Sequence, residues 1–112
     1  MRLLVSGSRI FTDRNKLWEK LSELKPTIII HGGARGVDTM ADTYAKEHGI
    51  PCIKMEANWD YYQKAAGPIR NQWMLDLTNP DLVVAFPKGE ARGTRHMMKI
   101  ARAKGVEVIE VE

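Results

Sequence analysis

Three glycine-rich segments that also carry arginine or lysine are the part of this sequence best suited to chemistry. They are Gly7–Arg9, the run HGGARGVD at 31–38 and the run PKGEARGTR at 87–95. Glycine lets the backbone approach a ligand closely, and a helix that starts after such a turn offers free amides to an anion. No Walker A loop is present, and no GxGxxG motif follows the first apolar run. The pattern predicts a phosphate-bearing ligand and disfavours ordinary dinucleotide dehydrogenase chemistry.

A long connection at 56–71 supplies the second chemical signal. It contains three aromatic residues, and loops of this length in compact domains are usually functional or disordered. Trp59 or a neighbouring tyrosine could stack on a base or ribose, while Arg70 and Asn71 face a phosphate. The alternative is that the rings cover the edge of the sheet or form a dimer contact.

Carboxylates near these segments are the candidates for catalysis. Cleavage of a glycosidic bond needs a carboxylate beside the sugar, and Asp38 is the best placed, followed by Glu90. Asp38 could equally complement a helix dipole and brace its loop by hydrogen bonds. His31 ends an apolar run, which is more typical of a hydrogen-bonded core histidine than of a base. Nothing places the other two histidines beside a second metal ligand, so we expect no metal, and no cofactor is indicated.

The elements that must position these residues are short apolar runs alternating with helical stretches. The helical period is clearest over 37–48, and three further helical stretches follow the first, third and fourth runs. Such alternation predicts an α/β fold with a parallel sheet. The five predicted strands are Leu3–Ser6, Thr27–His31, Cys52–Met55, Leu82–Phe86 and Val106–Val111.

Charge placement predicts the order of the strands. Within the first, second and fourth runs, the segments Leu3–Val5, Ile28–Ile30 and Leu82–Phe86 are wholly apolar, as strands covered on both faces must be. The third contains Lys54 and the fifth contains Glu107 and Glu110, which favours the edges of the sheet. We therefore expect a Rossmann-like three-layer sandwich with a five-stranded parallel sheet in the order 3-2-1-4-5 and two helices on each face. All three glycine-rich segments then lie at the carboxyl ends of the strands, where such sheets bind ligands.

The composition is typical of a soluble globular protein. The 112 residues suffice for one domain, and the formal net charge of +3 suits an anionic ligand but does not by itself argue for nucleic acid. The single cysteine excludes an intramolecular disulfide, which favours a reducing compartment. The first apolar run is too short for a signal peptide or a membrane span. We expect a cytoplasmic protein that does not contact the membrane.

Five ordered motifs resemble those of a known family. They are Gly7–Arg9, HGGARGVD, the element Ala57–Trp59, AGPIRN at 66–71, and AFPKG with RGT within 85–94. Together they resemble the YspA/YpsA-related branch of the SLOG superfamily, which includes the LOG phosphoribohydrolases and the Smf/DprA proteins. The resemblance covers nearly the whole chain and implies a single SLOG-like nucleotide-binding domain over 1–112, and it suggests a homodimer.

The motifs and the resemblance together define an expected site. One departure bears on catalysis: LOG enzymes carry a glutamate three residues after the Gly-Thr pair, and this chain has Met97 there. We therefore expect binding of a nucleotide-derived phosphate ligand of the ADP-ribose type, as a sensor or sequestering module. LOG-like hydrolysis of a nucleotide N-glycosidic bond is the alternative, and DprA-like binding of single-stranded nucleic acid is a weaker one. The expected ligand-binding residues are Gly7, Ser8, Arg9, Gly32, Gly33, Arg35, Gly36, Asp38, Trp59, Arg70, Asn71, Lys88, Gly93 and Thr94.

Overall fold

A single parallel sheet of five strands organises the structure. The computed structural model describes residues 1–112. The strand order is β3-β2-β1-β4-β5, and every neighbouring pair is parallel. The order predicted from the placement of charge is therefore confirmed. The strands are β1 (Arg2–Gly7), β2 (Ile28–His31), β3 (Cys52–Lys54), β4 (Leu82–Phe86) and β5 (Glu107–Glu110).

Helices cover both faces of the sheet. The hydrophobic core on one face joins Leu3 and Val5 of β1 to the first two helices, and the core on the other face joins Leu4 to the last two. Consecutive residues of a strand contribute to the two cores in turn, because successive side chains point to opposite faces of the sheet. The helices are α1 (Arg14–Leu24), α2 (Val37–Glu47), α3 (Trp59–Tyr62), α4 (Ala66–Thr78) and α5 (Arg92–Ala103), with a 3₁₀ turn at Gln63–Ala65.

Burial explains why the apolar strands are central. All five residues of β4 are buried, whereas β3 and β5 contain no fully buried residue. The charged side chains of Lys54, Glu107 and Glu110 are exposed at the two edges, where they cost no desolvation. No helix in the structure is both long enough and apolar enough to span a bilayer.

The connection at 56–71 differs from the predicted loop, because most of it is helical. The Asn58 side chain caps α3 by accepting a hydrogen bond from the Tyr61 amide, at 3.2 Å. Helix α4 begins at Ala66, so Pro68 lies in its first turn, where a missing amide hydrogen is tolerated. A one-turn helix is too short to show a hydrophobic period, and a Gly-Pro pair usually indicates a turn. Arg70 and Asn71 therefore lie on a helix and not in the predicted loop.

Candidate functional site

A large groove lies at the carboxyl ends of β1, β2 and β4. It encloses about 1180 Å³ and is lined by the three glycine-rich segments and by the first turns of α4 and α5. Every residue predicted for the site lies on its wall except Gly36. The groove therefore brings together segments up to about 90 residues apart in sequence, as the parallel topology requires.

Gly36 serves packing between two loops. A Cβ atom on Gly36 would lie 2.5 Å from the Ser8 carbonyl oxygen and 2.8 Å from the Arg9 Cα, and the φ of Gly36 is +76°. Both the steric overlap and the left-handed backbone exclude a larger residue. Gly32 is similarly constrained, because a Cβ there would overlap the guanidinium of Arg70. The absence of a side chain at these two glycines allows the segments of the groove wall to pack closely.

The carboxylate of Asp38 braces the loop between β2 and α2. Its Oδ2 atom accepts hydrogen bonds from the backbone amides of Gly32, at 3.1 Å, and Ala34, at 3.2 Å. Asp38 is only 5% exposed, and burial raises its pKa above the usual range, although the two amides and the nearby His31 and Arg70 oppose that shift. Its bonded oxygen is committed to the protein backbone.

Arg70 and Asn71 join three segments around the groove, namely the end of β2, α4 and the start of α5. Arg70 donates through Nη1 to the Gly32 carbonyl oxygen at 2.6 Å and through Nε to Asn71 Oδ1 at 3.1 Å. Asn71, which is buried, donates through Nδ2 to the Gly93 carbonyl oxygen and to His96 Nδ1, each at 3.1 Å. Burial lowers the pKa of Arg70. These side chains fix the start of α5 relative to the end of β2.

The start of α5 is open to the groove. Its N-cap, Ala91, has no side-chain hydrogen bond, and no acidic residue lies in the first turn. A Cβ on Gly93 would meet nothing within 4 Å, so packing does not require glycine there. Thr94 is buried and lines the groove, yet its hydroxyl makes no hydrogen bond within the protein and retains contact with solvent. The uncapped amides and this hydroxyl together form a set of unused donors.

Unpaired cations line the same groove. Arg9, Arg35 and Lys88 are exposed on the groove wall and make no ion pair or side-chain hydrogen bond. By contrast, Arg92 lies 3.6 Å from Glu90, and both side chains are more than 80% exposed. Glu90 is thus a solvated partner of a neighbouring arginine. The free cations make the groove electropositive.

Trp59 forms an exposed aromatic surface at one end of the groove. Its indole ring is 50% exposed and lies over Gly67, where a Cβ would come within 3.3 Å of the ring. The absence of a side chain at Gly67 therefore lets the ring lie against the first turn of α4. Such a ring can stack on a planar ligand.

Sequence reasoning missed several residues of the groove, among them His96. Its ring lies on the wall beside Asn71, and burial together with the nearby Lys99 lowers its pKa. The available signal was its spacing, because a residue three positions after Gly93 shares its face of α5. Lys64 also lines the groove and was not predicted to do so.

His31, Asp42 and Cys52 form a second polar cluster, outside the groove. Their potential ligand atoms lie within 4.8 Å of one another. His31 Nδ1 accepts the Gly33 amide hydrogen at 3.0 Å, so the ring proton lies on Nε2, which donates to Asp42 at 2.9 Å. A metal-bound histidine normally donates through its other nitrogen, which the Gly33 amide prevents here. The cluster therefore does not fit a metal ion; His31 is the hydrogen-bonded core histidine that the sequence predicted.

Contacts within that cluster shift the pKa values of Asp42 and Cys52 in opposite directions. Hydrogen bonds from Lys46 and His31 lower the pKa of Asp42 to about 2. Burial and the Asp42 charge raise the pKa of Cys52 to about 11. The thiol is therefore protonated near neutral pH and a poor nucleophile.

Comparison with known proteins identifies relatives of this chain. The model of the YspA, cpYpsA-related SLOG family matches residues 1–62, which include the first two glycine-rich segments and Trp59. The Gene 61 protein of Mycobacterium phage D29 is 37% identical over 118 residues, covering 96% of this chain and 94% of that protein.

A solved structure shares the fold. The X-ray structure of DNA processing protein A (DprA) from Streptococcus pneumoniae superposes with a TM-score of 0.81 at 20% sequence identity. The match covers 99% of this chain and 50% of the DprA chain, so this chain spans half the length of that protein. The similarity confirms the Rossmann-like architecture.

Proposed function

Since the chain belongs to the YspA, cpYpsA-related SLOG family, we propose that it binds a nucleotide or a nucleotide-derived phosphate ligand in the groove. ADP-ribose-like molecules are the ligand class we favour, and sensing or sequestering such a molecule is the role. The phosphate lies at the start of α5, and the base lies toward Trp59.

The open start of α5 is the observation that carries this proposal. Two other helices begin with a side-chain cap, α1 at Asp13 and α3 at Asn58. The three long helices that begin at the groove, α2, α4 and α5, have no side-chain cap. Helix α2 carries Asp38 in its first turn and α4 continues from the 3₁₀ turn, so the start of α5 is the most open of the three. Free amides at a helix start attract a phosphate, and the unpaired Arg9, Arg35 and Lys88 add charge-assisted hydrogen bonds.

The contacts of the carboxylates near the groove favour ligand binding over hydrolysis. The bonded oxygen of Asp38 accepts two backbone amides, and Glu90 is exposed beside Arg92. Met97, at the position of the LOG glutamate, is fully buried in the core between the sheet and α5. The groove therefore offers a phosphate several donors, whereas each carboxylate on its wall already contacts the protein through one oxygen.

Isothermal titration calorimetry with AMP and ADP-ribose tests the proposal. Replacing both Arg9 and Arg35 with alanine should weaken binding by on the order of a hundredfold, since each removes a charge-assisted hydrogen bond. Arg102→Ala is the matched control, because Arg102 lies at the far end of α5 and pairs at 4.0 Å with Glu110. Equal affinity in all three proteins would place the site elsewhere, and tighter binding of a single-stranded oligonucleotide would favour the nucleic-acid alternative.

Turnover is tested separately, by incubating the protein with the same ligands and separating any released base by chromatography. We expect no release. Release by the natural protein but not by Asp38→Asn would establish the hydrolase alternative, because that change removes the charge while keeping the shape.

The predicted homodimer has a candidate surface on α3 and α4. Tyr61, Trp73 and Leu77 are 75%, 39% and 69% exposed, and such residues commonly anchor interfaces. We propose that a second copy covers them. Sedimentation at micromolar concentration should show a species of twice 12.7 kDa, and a monomer alone would contradict the proposal.

A further inference from the structure

The hydrogen bonds around Asn71 determine where His96 carries its proton. Arg70 Nε can only donate, so the Asn71 oxygen must face it, and the Gly93 carbonyl oxygen can only accept, so the Asn71 nitrogen must face that. Reversing the amide would disrupt both contacts. The Asn71 nitrogen therefore also donates to His96 Nδ1, at 3.1 Å. Because Nδ1 accepts, the proton of the neutral ring lies on Nε2.

The other ring nitrogen of His96 is available to a ligand. His96 Nε2 has no hydrogen-bond partner within the protein and is in contact with solvent, and the residue lines the groove. Helical side chains lean toward the N-terminus, so the ring lies along the first turn of α5 beside Gly93. The shared contact of Asn71 with Gly93 and His96 shows the same proximity.

We infer that His96 is a ligand-binding residue that presents a neutral Nε2–H donor to a phosphoryl oxygen held at the start of α5. The inference rests on the proposed function. It also excludes His96 as a general base in the groove, because its free nitrogen already holds the proton. Burial and the nearby cation Lys99 lower the pKa of His96, and both add to the constraint that keeps the ring neutral.

Nuclear magnetic resonance of the ligand-free protein tests the protonation state directly. Long-range ¹H–¹⁵N correlation of the imidazole should show the Nε2–H form at pH 7, with a midpoint below that of an ordinary histidine. A proton on Nδ1 or a cationic ring at pH 7 would overturn the inference, whatever the protein binds. Asn71→Asp should raise the midpoint, because a carboxylate can only accept from the ring.

Calorimetry with ADP-ribose tests the contact itself. His96→Ala should weaken binding about tenfold, whereas His96→Gln, whose amide can place an N–H near the position of Nε2, should stay within about threefold of the natural protein. Equal binding by the alanine variant would overturn the inference and leave the proposed function intact. No binding of AMP or ADP-ribose by the natural protein would overturn both.

Discussion

The two glycine-rich loops that follow β2 and β4 border the same groove, but their glycines have different physical roles. In the loop after β2, Gly32 and Gly36 are required because neighbouring atoms occupy the space of a Cβ, and Asp38 binds two of the loop amides. At the start of α5, the space around Gly93 is empty and the helix has no cap. The first loop is a rigid wall whose polar groups are largely satisfied internally. The second leaves its donors for a ligand.

The largest expected effect is a difference in the free energy of unfolding between alanine variants of Gly36 and Gly93. Gly36→Ala should destabilise the protein by about 3–5 kcal/mol, because it combines a steric overlap with a left-handed backbone. Gly93→Ala should leave stability unchanged or raise it by up to about 1 kcal/mol, since alanine is the better helix former. Denaturant unfolding of both variants measures the difference. Similar losses at both positions would contradict the contrast between the loops.

Substitutions at Asp38 test how far its hydrogen bonds stabilise the loop after β2. Asp38→Ala should cost about 2–3 kcal/mol, because it leaves the amides of Gly32 and Ala34 without an acceptor. Asp38→Asn should cost much less, since its amide oxygen can accept both hydrogen bonds without the desolvation of a charge. Thermal unfolding of the two variants gives the comparison. A loss in Asp38→Asn as large as that in Asp38→Ala would show that the charge, and not the acceptor, holds the loop.

Gly93→Ala should weaken the binding of AMP about tenfold, or ~1.4 kcal/mol, because the added methyl group occupies the space nearest the free amides. Gly105→Ala is not a suitable control, since Gly105 has a φ of +85°, so Arg102→Ala serves instead. Calorimetry on folded protein measures both. Unchanged affinity in Gly93→Ala would place the phosphate away from α5.

The smallest expected effect concerns the loss of the Asp42 contacts in acid. The pKa of Asp42 lies at about 2, below its ordinary value of 3.8, so the unfolded chain takes up this proton first as the pH falls. The stabilisation is complete above pH 4 and is lost as the pH falls toward 2. Asp42→Asn should lower stability at pH 7 by about 1 kcal/mol and flatten this part of the pH profile. An unchanged profile would show that the contacts with His31 and Lys46 contribute nothing.

The fold could be predicted because its determinants are local. Apolar runs covered on both faces and charges at the edges specify the order of the strands, and glycine, proline and capping residues mark the ends of helices. The prediction of a loop over 56–71 was wrong because the one-turn helix α3, which Asn58 caps, is too short to show a hydrophobic period.

The site could be predicted only in part. Its segments were identified because parallel strands place their carboxyl ends together. The different roles of Gly36 and Gly93 could not be predicted from the sequence. Glycine at 36 is required because atoms of Arg9, from another loop, occupy the space of a Cβ. His96 was missed because its partner, Asn71, lies 25 residues away in sequence. Contacts of that kind arise from packing between helices, and the spacing of His96 from Gly93 indicates only a shared face of α5.

Backbone amide chemical shifts during a titration with AMP test the central claim most directly. We predict that the amides of Arg92, Gly93 and Thr94 shift together and saturate, while those of Arg14 and Lys16 at the capped start of α1 do not move. Shifts that saturate at another surface, or none at the start of α5 at ligand concentrations where binding is measured, would contradict the claim.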